Sequence, residues 1–129
     1  MALCTGTALA NPFAQVKGSW QGAVQLEDST TPEAHAVGRL SAHIGADGAI
    51  DAVHANGCKL SGVVRQDSPA SFRIDARMTG CSHAPFNRRW GGYFNFDASA
   101  QTVRISLSST DIVPKNRIRQ VDASGTLMR

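Results

Sequence analysis

The 129-residue sequence lacks the features that mark several large classes of protein. It has no apolar run of the roughly 20 residues that a membrane-spanning helix needs. It has only one tyrosine, and its 13 basic residues are spread along the chain, with no long basic run. Nucleic-acid-binding surfaces combine clustered Lys and Arg with aromatic side chains. We therefore expect neither a transmembrane segment nor a nucleic-acid partner.

Motifs of catalytic and cofactor-binding sites are also missing. The sequence has no Gly-x-Ser-x-Gly nucleophile elbow and no glycine-rich phosphate loop. Tetrahedral zinc needs three or four converging ligands, and no two histidines stand in a His-x-His or His-x-x-x-His pair. We expect His35, His43, His54 and His83 to be solvated surface residues. We expect no metal, cofactor or catalytic residue, and we do not expect an enzyme.

The first ten residues differ in character from the rest of the chain. They are uncharged, apolar and rich in small residues, and Ala8-Leu9-Ala10 has the small-x-small form of a signal-peptidase site. We interpret residues 1–10 as the remnant of a secretory signal and residues 11–129 as one domain. Two alternatives stay open: a lipoprotein site at Cys4, and an ordinary frayed terminus.

The cysteine count supports export. With Cys4 in the proposed signal remnant, Cys58 and Cys81 remain as an even pair. A disulfide between them would close a loop worth ~3 kcal/mol of stability in the chain-entropy model. The alternative is two buried free thiols, which would suit a cytosolic protein. We favour the disulfide, and with it a periplasmic or secreted location. A membrane-anchored lipoprotein is the alternative for the native form.

The dominant pattern is period-two alternation of apolar and polar residues, which predicts β-strands with one face inward. Six runs show it, separated by turn residues. The predicted inward residues are Trp20, Gly22, Val24 and Leu26; Leu40, Ala42 and Ile44; Phe72, Ile74, Ala76 and Met78; Trp90, Gly92, Phe94 and Phe96; Val103, Ile105 and Leu107; and Val121, Ala123, Gly125 and Leu127.

Turn signals between the runs indicate short hairpins. Asp47-Gly48 and Asn56-Gly57 are dipeptides that readily adopt the positive φ of tight turns. No helix of more than one or two turns is expected, and residues 11–16 are the best candidate for one such turn. We predict an all-β fold, an antiparallel meander of about eight strands closed into a small barrel.

The start of the first strand resembles a known signature. Gly18-Ser19-Trp20 is similar to the Gly-x-Trp motif of the calycins, the group of lipocalins and avidins, in which the tryptophan closes one end of an eight-stranded barrel. The resemblance implies a calycin-like barrel. The chain has too few Tyr and Trp residues to build the aromatic walls of an avidin-type biotin site.

A second resemblance covers a longer part of the chain, from Trp20 to Leu107. It looks like a group of small exported bacterial proteins and lipoproteins, largely uncharacterised, and it implies export, a β-barrel and a Cys58–Cys81 bridge without implying an activity. In size and type the chain is also similar to periplasmic lysozyme inhibitors and immunity proteins. The residues that carry the longer resemblance are Trp20 and Gly22; Asp47, Gly48 and Ile50; Gly57, Cys58, Ser61 and Gly62; Cys81; and Gly92 and Phe94.

Two segments are candidates for a protein-binding site. Residues 82–90 follow Cys81 and combine aromatic side chains with Arg88 and Arg89, and Arg and Trp are the residues that most often anchor interfaces. Residues 110–119 form a second predicted loop, polar and basic, and both loops at one barrel end would make a positive rim. The predicted contact residues are Phe86, Arg88, Arg89, Lys115 and Arg117. In the alternative interpretation, Phe86 and Trp90 complete the core.

Three functions follow as hypotheses. The first is an exported binding protein that inhibits or neutralises another protein with an acidic surface or cleft. The second is a carrier of a small apolar ligand, which would need a cavity of at least ~300 Å³. Its predicted lining is Trp20, Leu40, Phe72, Trp90 and Phe94. The third is an envelope-associated structural domain without a pocket, marked by an exposed sheet edge or an oligomeric contact.

Overall fold

A computed structural model describes residues 11–129 as a barrel. The interpretation of residues 1–10 as a signal remnant, with its lipoprotein alternative at Cys4, lies outside the described residues. The barrel has eight strands: β1 (Gly18–Asp28), β2 (Ala36–Ile44), β3 (Ala49–His54), β4 (Lys59–Ser68), β5 (Ser71–Thr79), β6 (Arg89–Asp97), β7 (Thr102–Val113) and β8 (Arg117–Met128). Three one-turn segments complete the elements: Pro32–Ala34, Ala84–Phe86 and Pro114–Asn116.

The strands form a meander in which every strand pairs antiparallel with the next. The barrel closes because β1 also pairs with β8, for example Val24 with Gly125. The predicted fold class is therefore confirmed. Closure removes the open sheet edges that would otherwise offer themselves for pairing with other chains.

The alternating runs explain why these segments are strands. Each predicted inward set falls on the inner face of one strand, and the large side chains of those sets are buried. On β5, for example, Phe72 and Ile74 are buried whereas Arg73 is exposed. Both tryptophans and four phenylalanines are among the buried residues of this core.

Two glycines permit close strand packing. A Cβ atom on Gly22 would collide with the backbone of β8 at Thr126, and one on Gly92 would collide with the backbone of β7 at Ser106. Only glycine fits at such close backbone approaches. These two in-strand glycines therefore allow the strands of the barrel to approach closely.

The two ends of the barrel are built differently, and we name them for their contents. The plugged end holds residues 11–17, the short connections at 45–48, 69–70 and 98–101, and the terminal Arg129. The loop end holds the connections at 29–35, 55–58, 80–88 and 114–116. Every connection from an odd-numbered strand to the next strand therefore lies at the loop end.

Trp20 closes the plugged end. Its indole Nε1 donates to the carbonyl of Val16 at 2.7 Å, and its ring is 1% exposed. The guanidinium of Arg129 lies over the indole, 4.2 Å from the ring centroid, in a cation–π contact. Arg129 also donates to the carbonyls of Lys17 and Gln15, which fastens the N-terminal segment across this end.

The disulfide between Cys58 and Cys81 is present, as predicted. It joins the β3–β4 connection to the β5–β6 connection at the loop end. Both half-cystines are buried. The bridge therefore restrains two neighbouring connections at once, in addition to its effect on the unfolded chain.

The prediction of a loop over residues 110–119 is wrong. Most of this segment belongs to β7 and β8, which pair as far as Val113 opposite Arg117. Only Pro114–Asn116 is a turn, and Lys115 (φ 69°) and Asn116 (φ 56°) adopt the left-handed conformation there. The sequence pattern misled because residues 108–111 of β7 are all polar, so the alternation that marks the rest of the strand is interrupted before Ile112.

Candidate functional site

The candidate site lies at the loop end. It combines the β5–β6 connection, residues 80–88, with the part of the β7–β8 hairpin that continues past the barrel, residues 109–120, which we call the ribbon. The last pairing of β7 with β6 joins Gly91 to Ser108, and the last pairing of β8 with β1 joins Val121 to Asp28. The ribbon therefore extends beyond the neighbouring strands β6 and β1. It lies at the same barrel end as the β5–β6 connection.

The β5–β6 connection is held firmly at its start. Cys81 is bonded to Cys58, and the side chain of Asn87 bridges the backbone of Cys81, accepting from its N–H at 2.8 Å and donating to its carbonyl at 3.0 Å. The indole Nε1 of Trp90 donates to the carbonyl of Phe86 at 3.0 Å. The connection is thus ordered by covalent and hydrogen bonds, which suits a surface that presents side chains.

Phe86 is a correction to the predicted contact residues. Its side chain is 1% exposed and packs against the rings of His83 and Trp90, with centroid distances of 4.8 and 6.1 Å. Phe86 and Trp90 therefore complete the core, which was the alternative interpretation. The reason is that the one-turn segment Ala84–Phe86 directs the phenylalanine inward, where it is buried at the loop end of the barrel.

The two predicted arginines are placed differently. Arg88 is mostly buried and donates to Asp111 on the ribbon at 3.1 Å, so it ties the β5–β6 connection to the ribbon. The hydrogen bond from Arg88 holds the pKa of Asp111 below its ordinary value. Arg89 begins β6, is well exposed and makes a two-pronged contact with Asp75 on the barrel wall. Carboxylates of this chain therefore offset part of the predicted positive rim.

Lys115 and Arg117 stand at the tip of the ribbon. Both are exposed, and within residues 11–129 neither has a carboxylate close enough for an ion pair. The positive charge of the loop end is therefore concentrated at the ribbon tip, more than at Arg88 and Arg89. Sequence composition identified these two residues correctly as surface cations.

The ribbon also carries two exposed isoleucines that the sequence reasoning missed. Ile112 and Ile118 are direct cross-strand partners, 76% and 69% exposed. They are the most exposed large apolar side chains of the described residues. The sequence signal was limited: Ile118 stands between Arg117 and Arg119 in a polar segment, whereas Ile112 precedes the buried Val113 and gave no such signal.

The other face of the ribbon covers a buried charge. Asp28, at the end of β1, has a fully buried carboxylate that lies 2.8 Å from His83 Nε2 and 3.5 Å from Arg119 Nε. Thr30 donates to it through its backbone N–H and its hydroxyl, at 2.9 and 2.8 Å, and Arg119 Nε donates to the Thr30 hydroxyl at 2.9 Å. The carboxylate thus joins β1, the β5–β6 connection and the ribbon.

This environment sets the charge state of Asp28. Burial by itself would raise the pKa of the carboxyl, but hydrogen bonds from His83 and Thr30 and the positive charge of Arg119 outweigh it and lower the pKa below the ordinary value. Asp28 is therefore an anion at neutral pH. A buried anion that is bonded on every side fixes the relative positions of the elements it contacts.

The five predicted cavity residues lie in the core without enclosing a cavity. Trp20, Leu40, Phe72, Trp90 and Phe94 are all buried, and Phe72 stacks on Phe94 with centroids 4.8 Å apart. The interior void beside Leu40 and His54 measures about 20 Å³. That volume holds about one water molecule, so this void is far smaller than the ~300 Å³ that a carrier of an apolar ligand would need.

Two of the four histidines correct the prediction of solvated surface residues. His54 is 3% exposed, and its Nε2 lies 2.8 Å from the carbonyl oxygen of Val24. His83 is held by Asp28. The prediction was based on the lack of metal-ligand spacing, which does not detect a histidine that is buried with a hydrogen-bond partner.

Strand pairing also brings Ser19, His43 and Asp51 into one row. His43 stands opposite Ser19 on β1 and opposite Asp51 on β3, on the exposed wall of the barrel. No hydrogen bond joins the three in the described structure. Nucleophilic catalysis requires a base within hydrogen-bond reach of the nucleophile and oriented by a third group, and the row does not form that arrangement here. Its existence depends on register, which composition does not reveal.

Within residues 11–129, no group of three or more His, Cys, Asp or Glu side chains is placed to hold a metal ion. The helical turns of the same residues are all too short to cross a bilayer. When the chain is compared with models of protein families and with curated proteins, no match is found.

Proposed function

We propose that this protein is an exported, non-enzymatic binding module that inhibits or neutralises another protein, and that the loop end is its contact surface. The observation that carries the proposal is the exposed pair Ile112 and Ile118 on a ribbon that projects from an otherwise closed barrel. Large apolar side chains presented together on a projecting element are typical of a docking surface.

The energetics of the isoleucine pair support a docking role. Moving an exposed Ile side chain into an apolar pocket stabilises by ~1.5–3 kcal/mol, and at the tip of the ribbon neither side chain contributes to the barrel core. Residues of this kind, near the centre of a contact patch, supply most of the affinity of an interface.

The ribbon is preorganised for binding. Its inner face is held by Arg88 through Asp111 and by Asp28 through Arg119. Binding therefore requires little additional ordering of the backbone, which reduces the entropic cost of association. A rigid hairpin that carries a central apolar pair and peripheral charges is suited to enter a cleft.

The charge of the ribbon tip indicates the partner. Lys115 and Arg117 flank the isoleucines and have no ion pair within the described residues. A partner with carboxylates around an apolar pocket complements them, and complementary charge mainly raises the association rate and excludes wrong partners. An acidic cleft of a hydrolase or a secreted toxin meets this description.

Export is part of the proposal and is supported by the Cys58–Cys81 bridge. Disulfides persist in oxidising compartments and are rare in the reducing cytosol. A periplasmic or secreted location agrees with the interpretation of residues 1–10 as a signal remnant, and lipid anchoring at Cys4 is the variant of it that the sequence leaves open.

The test is an affinity capture with the oxidised chain as bait in periplasmic and secreted extracts, followed by binding measurements with the purified captured protein. Two variants remove the features of the ribbon: Ile112→Ser/Ile118→Ser and Lys115→Glu/Arg117→Glu. Their matched controls are Val37→Ser/Val53→Ser and Arg77→Glu/Arg104→Glu, exposed residues of the barrel wall with the same change in chemistry.

We expect the isoleucine variant to raise the Kd of the captured partner by ~100-fold or more, since two apolar anchors are lost and every 1.4 kcal/mol is tenfold. We expect the charge variant to act mainly on the association rate. A partner whose affinity falls equally in the wall controls would overturn the placement of the site. Self-association of the chain through the ribbon, with no foreign partner retained, would support the structural-domain hypothesis instead.

A further inference from the structure

The outer wall of the barrel carries a second feature, separate from the loop end. β4, β5 and β6 form a shallow concavity of about 410 Å³ on the exposed face. We call it the wall groove, lined by Val63, Arg65, Arg73, Asp75, Gly91 and Tyr93. Its residues are not used by the core, by the disulfide or by the ribbon.

The groove brings two arginines into direct opposition. Arg65 on β4 pairs with Arg73 on β5, and Arg73 pairs with Tyr93 on β6. Directly opposed like charges destabilise a sheet. Within residues 11–129, no carboxylate lies within ion-pair distance of either guanidinium. Asp67 acts on Arg73 electrostatically, without an ion pair.

One of the two arginines is held in position. Arg73 Nη2 donates to the Tyr93 hydroxyl at 2.7 Å, and the guanidinium carbon lies 5.3 Å from the centre of the Tyr93 ring. The contact also raises the pKa of Arg73. An arginine that is fixed by a neighbouring phenol presents its remaining donors without a further loss of side-chain entropy.

The floor of the groove is open. Gly91 faces outward, and a Cβ atom there would meet nothing nearer than the carbonyl oxygen of Ile74 at 3.9 Å. Glycine is therefore not required at this position by packing, unlike at Gly92 beside it. Its effect is to leave the space beside Asp75 and Tyr93 unfilled. Val63, on the other side of Asp75, is half-exposed, as is Tyr93.

The one carboxylate in the groove is already neutralised. Asp75 accepts from Arg89 through both of its oxygens, at 3.1 and 2.8 Å. The groove therefore presents two guanidinium groups, a phenol and the apolar faces of Val63 and Tyr93. Opposed strand residues have Cβ atoms about 5 Å apart, so two guanidinium groups that start there can bracket one oxyanion.

We infer that the wall groove binds a small anion in which a carboxylate or a phosphate is attached to an apolar body. Arg65 and Arg73 take the oxyanion, through the charge-assisted hydrogen bonds that guanidinium groups form with both classes. Val63 and the ring of Tyr93 take the apolar body over the open floor at Gly91. The site is independent of the loop end, and its failure would leave the proposed function untouched.

The experiment is an NMR titration of the whole chain with phenyl phosphate, phenylacetate and inorganic phosphate at constant ionic strength. The signals followed are the amides of Gly91 and Tyr93 and the side-chain Nε–H of Arg65 and Arg73. Two variants test the site: Arg65→Gln removes one charge, and Gly91→Val fills the floor without changing charge. Arg104→Gln is the matched control, an exposed arginine on β7 outside the groove.

We expect saturable shifts confined to the groove, with phenyl phosphate or phenylacetate bound more tightly than inorganic phosphate. We expect Arg65→Gln to weaken binding by ~10-fold, as the loss of one charge-assisted contact does, and Gly91→Val to abolish it. Arg104→Gln should leave it unchanged. Shifts spread over all exposed arginines, or binding that survives Gly91→Val, would overturn the inference, as would the absence of saturable shifts in the parent chain.

Discussion

The two ends of the barrel share one feature, a buried tryptophan that is hydrogen-bonded to a preceding backbone carbonyl. At the plugged end, Trp20 donates its indole N–H to the carbonyl four residues earlier, that of Val16. At the loop end, Trp90 does the same with Phe86. Both tryptophans are 1% exposed, and each is followed two residues later by a glycine, Gly22 or Gly92, at which a neighbouring strand approaches too closely for any side chain.

The surroundings of this tryptophan differ between the two ends. The plugged end has short turns, and Arg129 fastens its N-terminal segment. The loop end adds a disulfide, a buried carboxylate and an ion pair to the ribbon. The tryptophan and its carbonyl are thus what the two closures have in common. The added restraints at the loop end hold long connections and a projecting hairpin in place, which a preorganised binding surface requires.

The largest effect on the free energy of unfolding is expected from replacing the two tryptophans. Trp20→Ala and Trp90→Ala should each lower the free energy of unfolding by ~3–5 kcal/mol, because a buried aromatic ring and a hydrogen bond are lost. Chemical denaturation of the two variants measures this. Tyr93→Ala, which removes a half-exposed aromatic side chain, is the control and should cost far less. A value for Trp90→Ala near that of the control would show that the disulfide, and not the tryptophan, closes the loop end.

Removal of the disulfide should affect the loop end and leave the plugged end unchanged. Replacing both half-cystines, Cys58→Ser/Cys81→Ser, should cost ~3 kcal/mol of unfolding free energy. Hydrogen exchange should become faster over residues 80–88 while residues 11–17 keep their protection, because the bridge restrains only the loop end. Equal acceleration at both ends would contradict the idea that the ends are independent.

The buried carboxylate gives the loop end a dependence on pH. Since the pKa of Asp28 is lower in the folded chain than in the unfolded chain, the stability it contributes is complete above the unfolded value near pH 4 and is lost as the pH falls through the folded value. Asp28→Asn should cost ~1–3 kcal/mol at neutral pH, the penalty for disturbing a buried bonded group.

The measurement for Asp28 is the free energy of unfolding from pH 7 to pH 2, for the parent, Asp28→Asn and Asp51→Asn. Asp51 is an exposed carboxylate of the barrel wall and is the control. The parent and the control should lose stability in acid more steeply than Asp28→Asn. Parallel curves for all three proteins would remove Asp28 from the account of loop-end order.

The smallest effect on stability is expected at the ribbon tip. Ile112→Ser/Ile118→Ser should change the free energy of unfolding by no more than about 1 kcal/mol in total, because both side chains are largely in water in the folded chain. Under the proposed function, the same variant should raise the Kd of the partner by ~100-fold or more, so the isoleucines would act in recognition and not in stability. A large loss of stability, seen by thermal or chemical denaturation, would contradict that separation.

The strands were predictable because one face of the barrel wall is exposed to solvent and the other faces the core. The alternation of Phe72, Ile74, Ala76 and Met78 with polar neighbours required a β-strand with that orientation, and the structure has it. The ribbon was not predictable in the same way, because the alternation signal depends on a core to face. From Ser108 to Asp111 no side chain belongs to the core, and hydrogen-bonded pairing with β8 determines the strand instead.

The candidate site was predictable in part. The β5–β6 connection, the disulfide and the exposed cations Lys115 and Arg117 followed from the sequence, whereas the predicted loop over residues 110–119 was wrong. The burial of Phe86 and the ion pairs of Arg88 and Arg89 did not, because each depends on which segments closure brings together. The joining of Asp28 to His83, 55 residues apart in the sequence, is a consequence of the barrel and of no local pattern.

The most direct test of the loop end as the contact surface is site-specific photo-crosslinking in periplasmic and secreted extracts. A photoreactive residue placed at Ile118 samples the ribbon, and one placed at Ala98, exposed in a plugged-end connection, is the matched control. The account predicts one adduct of defined mass from position 118, displaced by unlabelled parent chain but not by Ile112→Ser/Ile118→Ser, and none from position 98. An adduct from position 98 alone, or equal adducts from both, would contradict it.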